Sequence, residues 1–245
     1  MKKILAIGNS FSEDATRYLH QIAEADGSAS KIANLIIGGC PLEKHFRNLC
    51  GNLPAYSFTF NGESTGLSVS IQTMLLSDNW DYITLQQVSH QAPYYNTYQP
   101  YLSEISKKIR YYQPKAKLII HQTWAYEENS KRLTEELHYA SAAEMYRDIQ
   151  SAYTKAAQEI HADGIIPSGT LFQKLQESDF SHIHRDTFHA SLGLGRYAIG
   201  LLWYDLLFGK TAIGNQFRLL DEVDPTMDFN KIQKIVHDVA DLYRF

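Results

Sequence analysis

Two cysteines, Cys40 and Cys50, stand among 245 residues, too few for a disulfide scaffold or a cysteine-built zinc site. Basic charge is not in excess either. Lys and Arg total 23 against 27 Asp and Glu, a net charge of −4, which argues against a nucleic-acid partner and the clustered basic face it needs. No run approaches the roughly 20 apolar residues that span a bilayer. The longest, 197–208, is interrupted by Gly200, Tyr204 and Asp205. The apolar stretch Ile4–Ile7 behind Met1-Lys2-Lys3 is too short for a signal-peptide core and ends at Gly8-Asn9-Ser10. As it stands the sequence is expected to be cytoplasmic, without a membrane partner; had a leader been trimmed, the protein would be secreted or periplasmic. What remains is ordinary globular usage, 44% hydrophobic and 20% charged, with ten histidines that raise metal binding or acid–base chemistry.

Short apolar runs alternate with longer segments of helical spacing. Strands are expected at 3–7, 31–37, 81–87, 117–121 and 164–167. Tyr56, Phe58 and Phe60 alternate ahead of Asn61-Gly62, a small hairpin turn. Helices are expected over 15–25, capped by Ser12 or Asp14, and over 42–49, 68–76, 101–112, 140–161, 170–176, 190–207 and 229–243. Strands separated by helices predict an α/β fold, a three-layer α/β/α arrangement around a central, mostly parallel sheet of about five strands. With no linker, low-complexity run or internal repeat, residues 1–245 are expected to form one domain. Such sheets bind ligands beyond the carboxyl ends of their strands. The residues that follow strands therefore matter: Ser10, Gly38 and Gly39, Gln86 to His90, and Gln122 to Tyr126.

Four groups of residues bear on chemistry. Ser10 directly follows the first strand, where a hydroxyl activated by a base is a nucleophile; the plainer reading is a helix cap. In Asp186-Thr187-Phe188-His189 a carboxylate three residues before an imidazole can fix its tautomer, or cap the next helix. Gly38-Gly39 can offer amides to an oxyanion or make a simple turn. Gln86 and Gln87 end a strand, and two amides there are awkward in an apolar core, so at least one is expected to face the site.

Together these features resemble the SGNH (GDSL-type) hydrolase superfamily. Gly8-Asn9-Ser10-Phe11-Ser12 looks like its first block, with Asn9 where the familiar form has Asp. Gly38 or Gly39 resembles the second-block glycine, and Asp186-x-x-His189 the last block. The Gly-Asn-Ser-Phe-Ser opening and Leu85-Gln86-Gln87 look most like an uncharacterised bacterial branch. The resemblance covers nearly the whole chain and implies an SGNH/flavodoxin-like fold. It also implies a serine esterase with Ser10 as nucleophile, His189 as base and Asp186 as its orienting carboxylate. The third block's Gly-x-Asn, whose Asn donates to the oxyanion, has no counterpart here. Gln86, Gln87 and His90 are the candidates, and Gln87 is favoured beside the amides of Ser10 and Gly39.

Gln86, His90 and Trp124 are expected to contact substrate. Tyr94, Tyr95, Tyr98 and Tyr101 with Trp124 would form an aromatic wall suited to a sugar, or else pack beneath the loop. The expected substrate is a carbohydrate or small molecule bearing a short acyl group such as O-acetyl. No cofactor and no metal are expected. His182, His184 and His189 lack zinc-ligand spacing, His121 either lines the site or is a satisfied core group, and His20, His45, His138, His161 and His237 read as helix-surface residues. The competing functions are a catalytically weak carbohydrate-binding relative and a metal-dependent hydrolase. A Rossmann-type nucleotide site is disfavoured, because the first loop lacks its glycine spacing.

Overall fold

In the computed structural model, residues 1–178, 180–223, 225 and 227–245 are described. The first strand, β1 (Lys2–Gly8), carries Ile4 to Gly8 fully buried, a continuous apolar run of the kind that fits a strand covered on both faces. It pairs in parallel with β2 (Ser30–Ile36) on one side and with β5 (Tyr82–Leu85) on the other. Beyond β5 come β6 (Lys117–Gln122) and β7 (Gly164–Pro167), also parallel. These are the five strands the sequence pattern predicts.

Two more extend the sheet. β3 (Tyr56–Phe60) and β4 (Glu63–Val69) form an antiparallel hairpin beside β2, giving seven strands in the order β4-β3-β2-β1-β5-β6-β7. Its turn is Asn61-Gly62, with φ of 53° and 86°, the positive pair that a tight two-residue hairpin requires. A Cβ at Gly62 would lie 2.2 Å from the Arg17 carbonyl oxygen, so the turn also depends on close approach. Almost all of β4 is exposed, and its Glu63 and polar Ser64, Thr65 and Ser68 keep this edge hydrophilic.

The helices fall into two layers. α1 (Ser10–Thr16), α2 (Leu19–Ala25), α7 (Ser168–Glu177), α8 (Leu194–Phe208) and α9 (Phe229–Asp241) pack together against one face. α3 (Leu42–Cys50), α4 (Ile71–Leu76), α5 (Tyr101–Tyr112) and α6 (Ala142–Glu159) cover the other. The predicted helix 15–25 is two helices, the first starting at Ser10 and capped by Asn9 rather than by Ser12 or Asp14. The buried Asn34 side chain on β2 grips α1 at Ser12 and Thr16, at 3.0 Å each, a long-range hold that no local pattern announces. α8 is buried nearly all round, and no helix among the described residues is long and apolar enough to cross a membrane.

Because β1 connects leftward to β2 while the chain later returns to β5 on its right, the β1/β5 boundary is the switch point of the sheet. The crevice beyond its carboxyl end is where an open sheet of this type holds ligands. It lies between Ser10, after β1, and the 86–90 segment, after β5.

Three buried imidazoles mark the interior. His45, on α3, is not the surface residue its helical spacing suggests; its Nδ1 lies 2.9 Å from the Tyr56 hydroxyl and it is fully buried. Burial pushes the pKa values of His45 and His121 down to about 3 and that of His184 to about 4, so all three are neutral in the fold. In the unfolded chain each binds a proton below about 6.5, so unfolding takes up three protons and stability falls as pH drops. Between pH 6 and 5, where carboxylates stay ionised, the unfolding free energy should decline by roughly 3–4 kcal/mol per pH unit. Urea titrations across that range should find this slope, and a flat profile would contradict neutral burial.

Candidate active site

Asn9 caps α1 from extended backbone, and its Oδ1 accepts the Phe11 amide at 3.0 Å. Ser10 is thereby the first residue of the helix, at the mouth of the crevice, and is not itself the cap. Gly8 allows this packing: a Cβ there would fall 2.7 Å from the Ser12 Oγ and 2.9 Å from the Gln86 Cδ. The Ser10 Oγ lies 2.8 Å from the His189 Nε2. The His189 Nδ1 lies 2.8 Å from one Asp186 oxygen, while the other accepts the His189 backbone amide at 2.9 Å. Hydroxyl, imidazole and carboxylate thus stand in a continuous hydrogen-bonded order. In that order an imidazole can take the hydroxyl proton while the carboxylate fixes the ring and steadies its cation. Burial raises the Asp186 pKa, but the side-chain and backbone bonds from His189 outweigh it and keep the carboxyl below its ordinary value.

His189 and Asp186 sit on the loop that returns from α7 to α8. The Arg185 amide donates to the His189 carbonyl at 3.1 Å and the Ser191 amide to the Ile183 carbonyl at 2.8 Å, so the loop closes on itself around Thr187, at φ 74°. The segment after β6 pins it from one side. The Trp124 Nε1 donates to the Phe188 carbonyl at 2.8 Å, the Glu127 amide to the Thr187 carbonyl at 2.7 Å, and the His184 ring reaches the Ala125 carbonyl at 3.1 Å. From the other side Asp14, fully buried on α1, accepts from the Arg185 guanidinium at 2.9 Å, from Arg196 at 2.8 Å and from the Ala190 amide at 3.2 Å.

A cleft of about 430 Å³ opens beside Ser10 and His189. Gly38 and Gly39 line it, Gly39 at φ 61°, and so does His90. Three expected site residues are elsewhere. Gln87 is fully buried; its Oε1 accepts the Leu42 and Val88 amides, and its Nε2 donates to the Thr97 carbonyl and hydroxyl oxygens, each at 3.1 Å. It therefore cannot donate to an oxyanion. Gln86 is likewise engaged, donating to the Asn9 Oδ1 at 2.6 Å and accepting from the His121 Nδ1 at 2.8 Å, while the Ser168 Oγ faces the His121 Nε2 at 3.0 Å. That chain makes His121 a satisfied core group.

Trp124 is buried between Phe11 and Phe172, at ring distances of 4.2 and 4.6 Å, and backs the cleft without lining it. The predicted aromatic wall does not form there either. Tyr95 stacks on Tyr98, Tyr98 bonds the Ala92 carbonyl and Tyr101 packs on Phe46, away from the crevice. His182, His184 and His189 do not converge on one point, since His184 is held by Ala125 and His189 by Ser10 and Asp186. Cys40 is buried with its thiol pushed up to about 12, which leaves it inert, and Cys50 is a separate free thiol.

Val88, Ser89 and Tyr126, from the two segments expected to matter because they follow strands, complete the lining with Phe188 and Arg132, to which the sequence gives no role. The Ser89 Oγ lies 2.9 Å from the Tyr126 hydroxyl, and burial holds the Tyr126 pKa above its ordinary value. Both follow strand ends, which was the available signal; Arg132 had none.

The family model described as a domain of unknown function, DUF4886, matches residues 3–236. The chain belongs to the DUF4886 family. A crystal structure of a DUF4886 protein from Bacteroides uniformis shares 36% identity over 97% of this chain and 94% of that one, with a TM-score of 0.89. A proposed SGNH hydrolase from Slackia heliotrinireducens superposes at a TM-score of 0.61, with 20% identity over 83% of this chain and 97% of its own. A mutant of Axe2, an acetyl-xylooligosaccharide esterase from Geobacillus, does so at 0.52, with 12% identity over 85% and 94%. This DUF4886 chain therefore has the fold of SGNH hydrolases. No curated protein matches its sequence.

The Asp14 contacts predict a specific weakness. Asp14→Ala leaves the largely buried Arg185 guanidinium without a carboxylate and Arg196 with Asp221 alone, and should cost about 3–5 kcal/mol in denaturant unfolding. Amide exchange at Ala190 should accelerate with it. An unchanged midpoint and exchange rate would show that the loop is held by other contacts.

Proposed function

We propose that this protein is a serine esterase that hydrolyses a short acyl ester of a small molecule or carbohydrate through an acyl-enzyme. The observation that carries the reading is the hydrogen-bonded order Ser10, His189, Asp186, with 2.8 Å at each side-chain link, at the switch point of the sheet. His189 takes the Ser10 proton on Nε2 as Oγ bonds to the carbonyl carbon, and Asp186 holds the ring. The imidazolium then gives that proton to the leaving alkoxide, which departs as the alcohol. Water, deprotonated by His189, attacks the acyl-serine; carboxylic acid leaves and Ser10 regains its proton.

The amides of Ser10 and Gly39 are the backbone donors in this reading. Ser89 takes the third place expected of Gln87: its Oγ lies 2.9 Å from the Tyr126 hydroxyl, either of which can donate, and when Tyr126 does so the Ser89 hydrogen is free for the oxyanion. The acyl pocket is small, since a cleft of about 430 Å³ falls toward the low end for small-molecule sites. The carbohydrate alcohol retains its support from the resemblance but not from the expected wall of Tyr94, Tyr95, Tyr98, Tyr101 and Trp124, none of which lines the cleft.

The wild-type protein should hydrolyse 4-nitrophenyl acetate with a burst, and Ser10→Ala and His189→Ala should each lower kcat by about a thousandfold or more. A serine-reactive phosphonate should label the wild type at Ser10 and leave Ser10→Ala unlabelled. Ser89→Ala should slow turnover by roughly 10²–10³-fold, the cost of one oxyanion donor. Hydrolysis that survives Ser10→Ala would sink the mechanism, and binding without turnover would favour the carbohydrate-binding alternative.

A further inference from the structure

We propose that the cleft selects esters that carry a negative charge, typically a carboxylate, and that Arg132 is the residue that recognises it. For its reaction the proposal rests on the esterase reading above; for its recognition it stands on the lining of the cleft alone.

Among the described residues, no Asp or Glu lines the cleft, and Arg132 is its one permanently charged side chain. The guanidinium carbon lies 4.1 Å from the centre of the Phe188 ring, and that ring's centre is 3.9 Å from the centre of the His189 imidazole. One aromatic residue therefore separates the cation from the proposed base. Stacking on an aromatic face steadies a guanidinium while leaving its N–H donors at the edge, where a carboxylate is met in two-point fashion.

Among the described residues, most other arginines, though not Arg147 or Arg218, pair with carboxylates, and neither of those two lines the cleft. Arg17, Arg47, Arg185, Arg196 and Arg244 each contact a carboxylate of the chain. Arg132 has no such partner among the described residues. It opens a single wide turn, Arg132–Glu136, of the π type, an irregularity often associated with functional positions.

The cation's field reaches across the mouth of the site. His90, which also lines the cleft, has its pKa lowered first by burial and then by Arg132, with Glu136 opposing more weakly. Near neutral pH His90 is thus biased toward its uncharged form, and Arg132 supplies the positive charge. A neutral acetate ester has no group to meet it, whereas an ester with a free carboxylate a few bonds from the scissile carbonyl does. A charge-assisted hydrogen bond of this kind corresponds to a preference of about tenfold or more.

Two measurements test recognition and reaction separately. In the first, wild-type kcat/KM is compared for mono-4-nitrophenyl succinate and its neutral methyl ester, and for 4-acetoxybenzoate and its methyl ester, placing the charge on the acyl or the alcohol side. One pair should favour the anion by about tenfold or more, with the preference shrinking as salt rises. The ratio should fall to about one in Arg132→Ala and below one in Arg132→Glu. In the second, monomethyl and dimethyl succinate are titrated against Ser10→Ala protein by NMR. The anion should bind about tenfold more tightly, and adding Arg132→Ala should abolish the difference. Equal binding of the two probes, or a preference that persists without Arg132, overturns the proposal. Absence of turnover on every ester defeats the esterase reading instead, and the titration still decides recognition.

Discussion

Asp14 sets the geometry on which the site depends. It lies one turn beyond Ser10 on α1, and residues four apart share a helix face, so the carboxylate and the serine address the same loop. Its partners bracket the pair that matters: Arg185 immediately precedes Asp186, and Ala190 immediately follows His189. A buried carboxylate is tolerable only if its hydrogen-bonding capacity is filled, and here two guanidinium groups and an amide fill it. Moving the loop away from α1 would strand all of them together. Arg196 extends the constraint, because it also contacts Asp221, which in turn holds Arg17 at the end of α1. The Ser10–His189 distance is thus fixed by charges that neither residue carries.

A second polar chain does the same work beneath the crevice. Asn9 after β1, Gln86 after β5, His121 at the end of β6 and Ser168 at the start of α7 form one line of hydrogen bonds across the carboxyl edge of the sheet. Because the imidazole is neutral, one ring nitrogen donates to Gln86 and the other accepts from Ser168. The line ends on Asn9, whose other contact caps the helix that begins with Ser10. Polar groups at strand ends are here a scaffold for the nucleophile's backbone, not a surface presented to a ligand.

That difference explains what could be read from the sequence. The five parallel strands, the Asn61-Gly62 turn and the Asp186-x-x-His189 pairing were legible because each depends on residues close in the chain. The positions of Gln86, Gln87 and Trp124 were not, since a buried amide or indole demands partners without naming them. Those partners, Asn9, Thr97 and the Phe188 carbonyl, lie up to 77 residues away. The hold on α1 was hidden for the same reason: Asn34 grips Ser12 and Thr16 from β2, and nothing near them in the chain names it. Arg132 lies in a wide turn between β6 and α6 whose sequence has neither strand nor regular helix periodicity, so only the folded chain brings it to Phe188.

The exposure of the dyad shows what the carboxylate contributes. The Asp186 side chain is 46% exposed whereas that of His189 is 17% exposed. The ring is cationic only once it has taken a proton, and even then an ion pair open to water on one side is worth at most about 1 kcal/mol, so Coulomb attraction alone would hold it loosely. Two-point attachment, one oxygen on the ring and one on the backbone of the same residue, restricts rotation where attraction cannot. The low-dielectric surroundings come from the other side: Phe188 and Phe11 stand 3.9 and 5.7 Å from the imidazole. The carboxylate therefore orients the ring while the aromatic residues exclude water from it. Because Phe188 also supports Arg132, the group that dries the base is the one that would carry the cation toward an incoming anion.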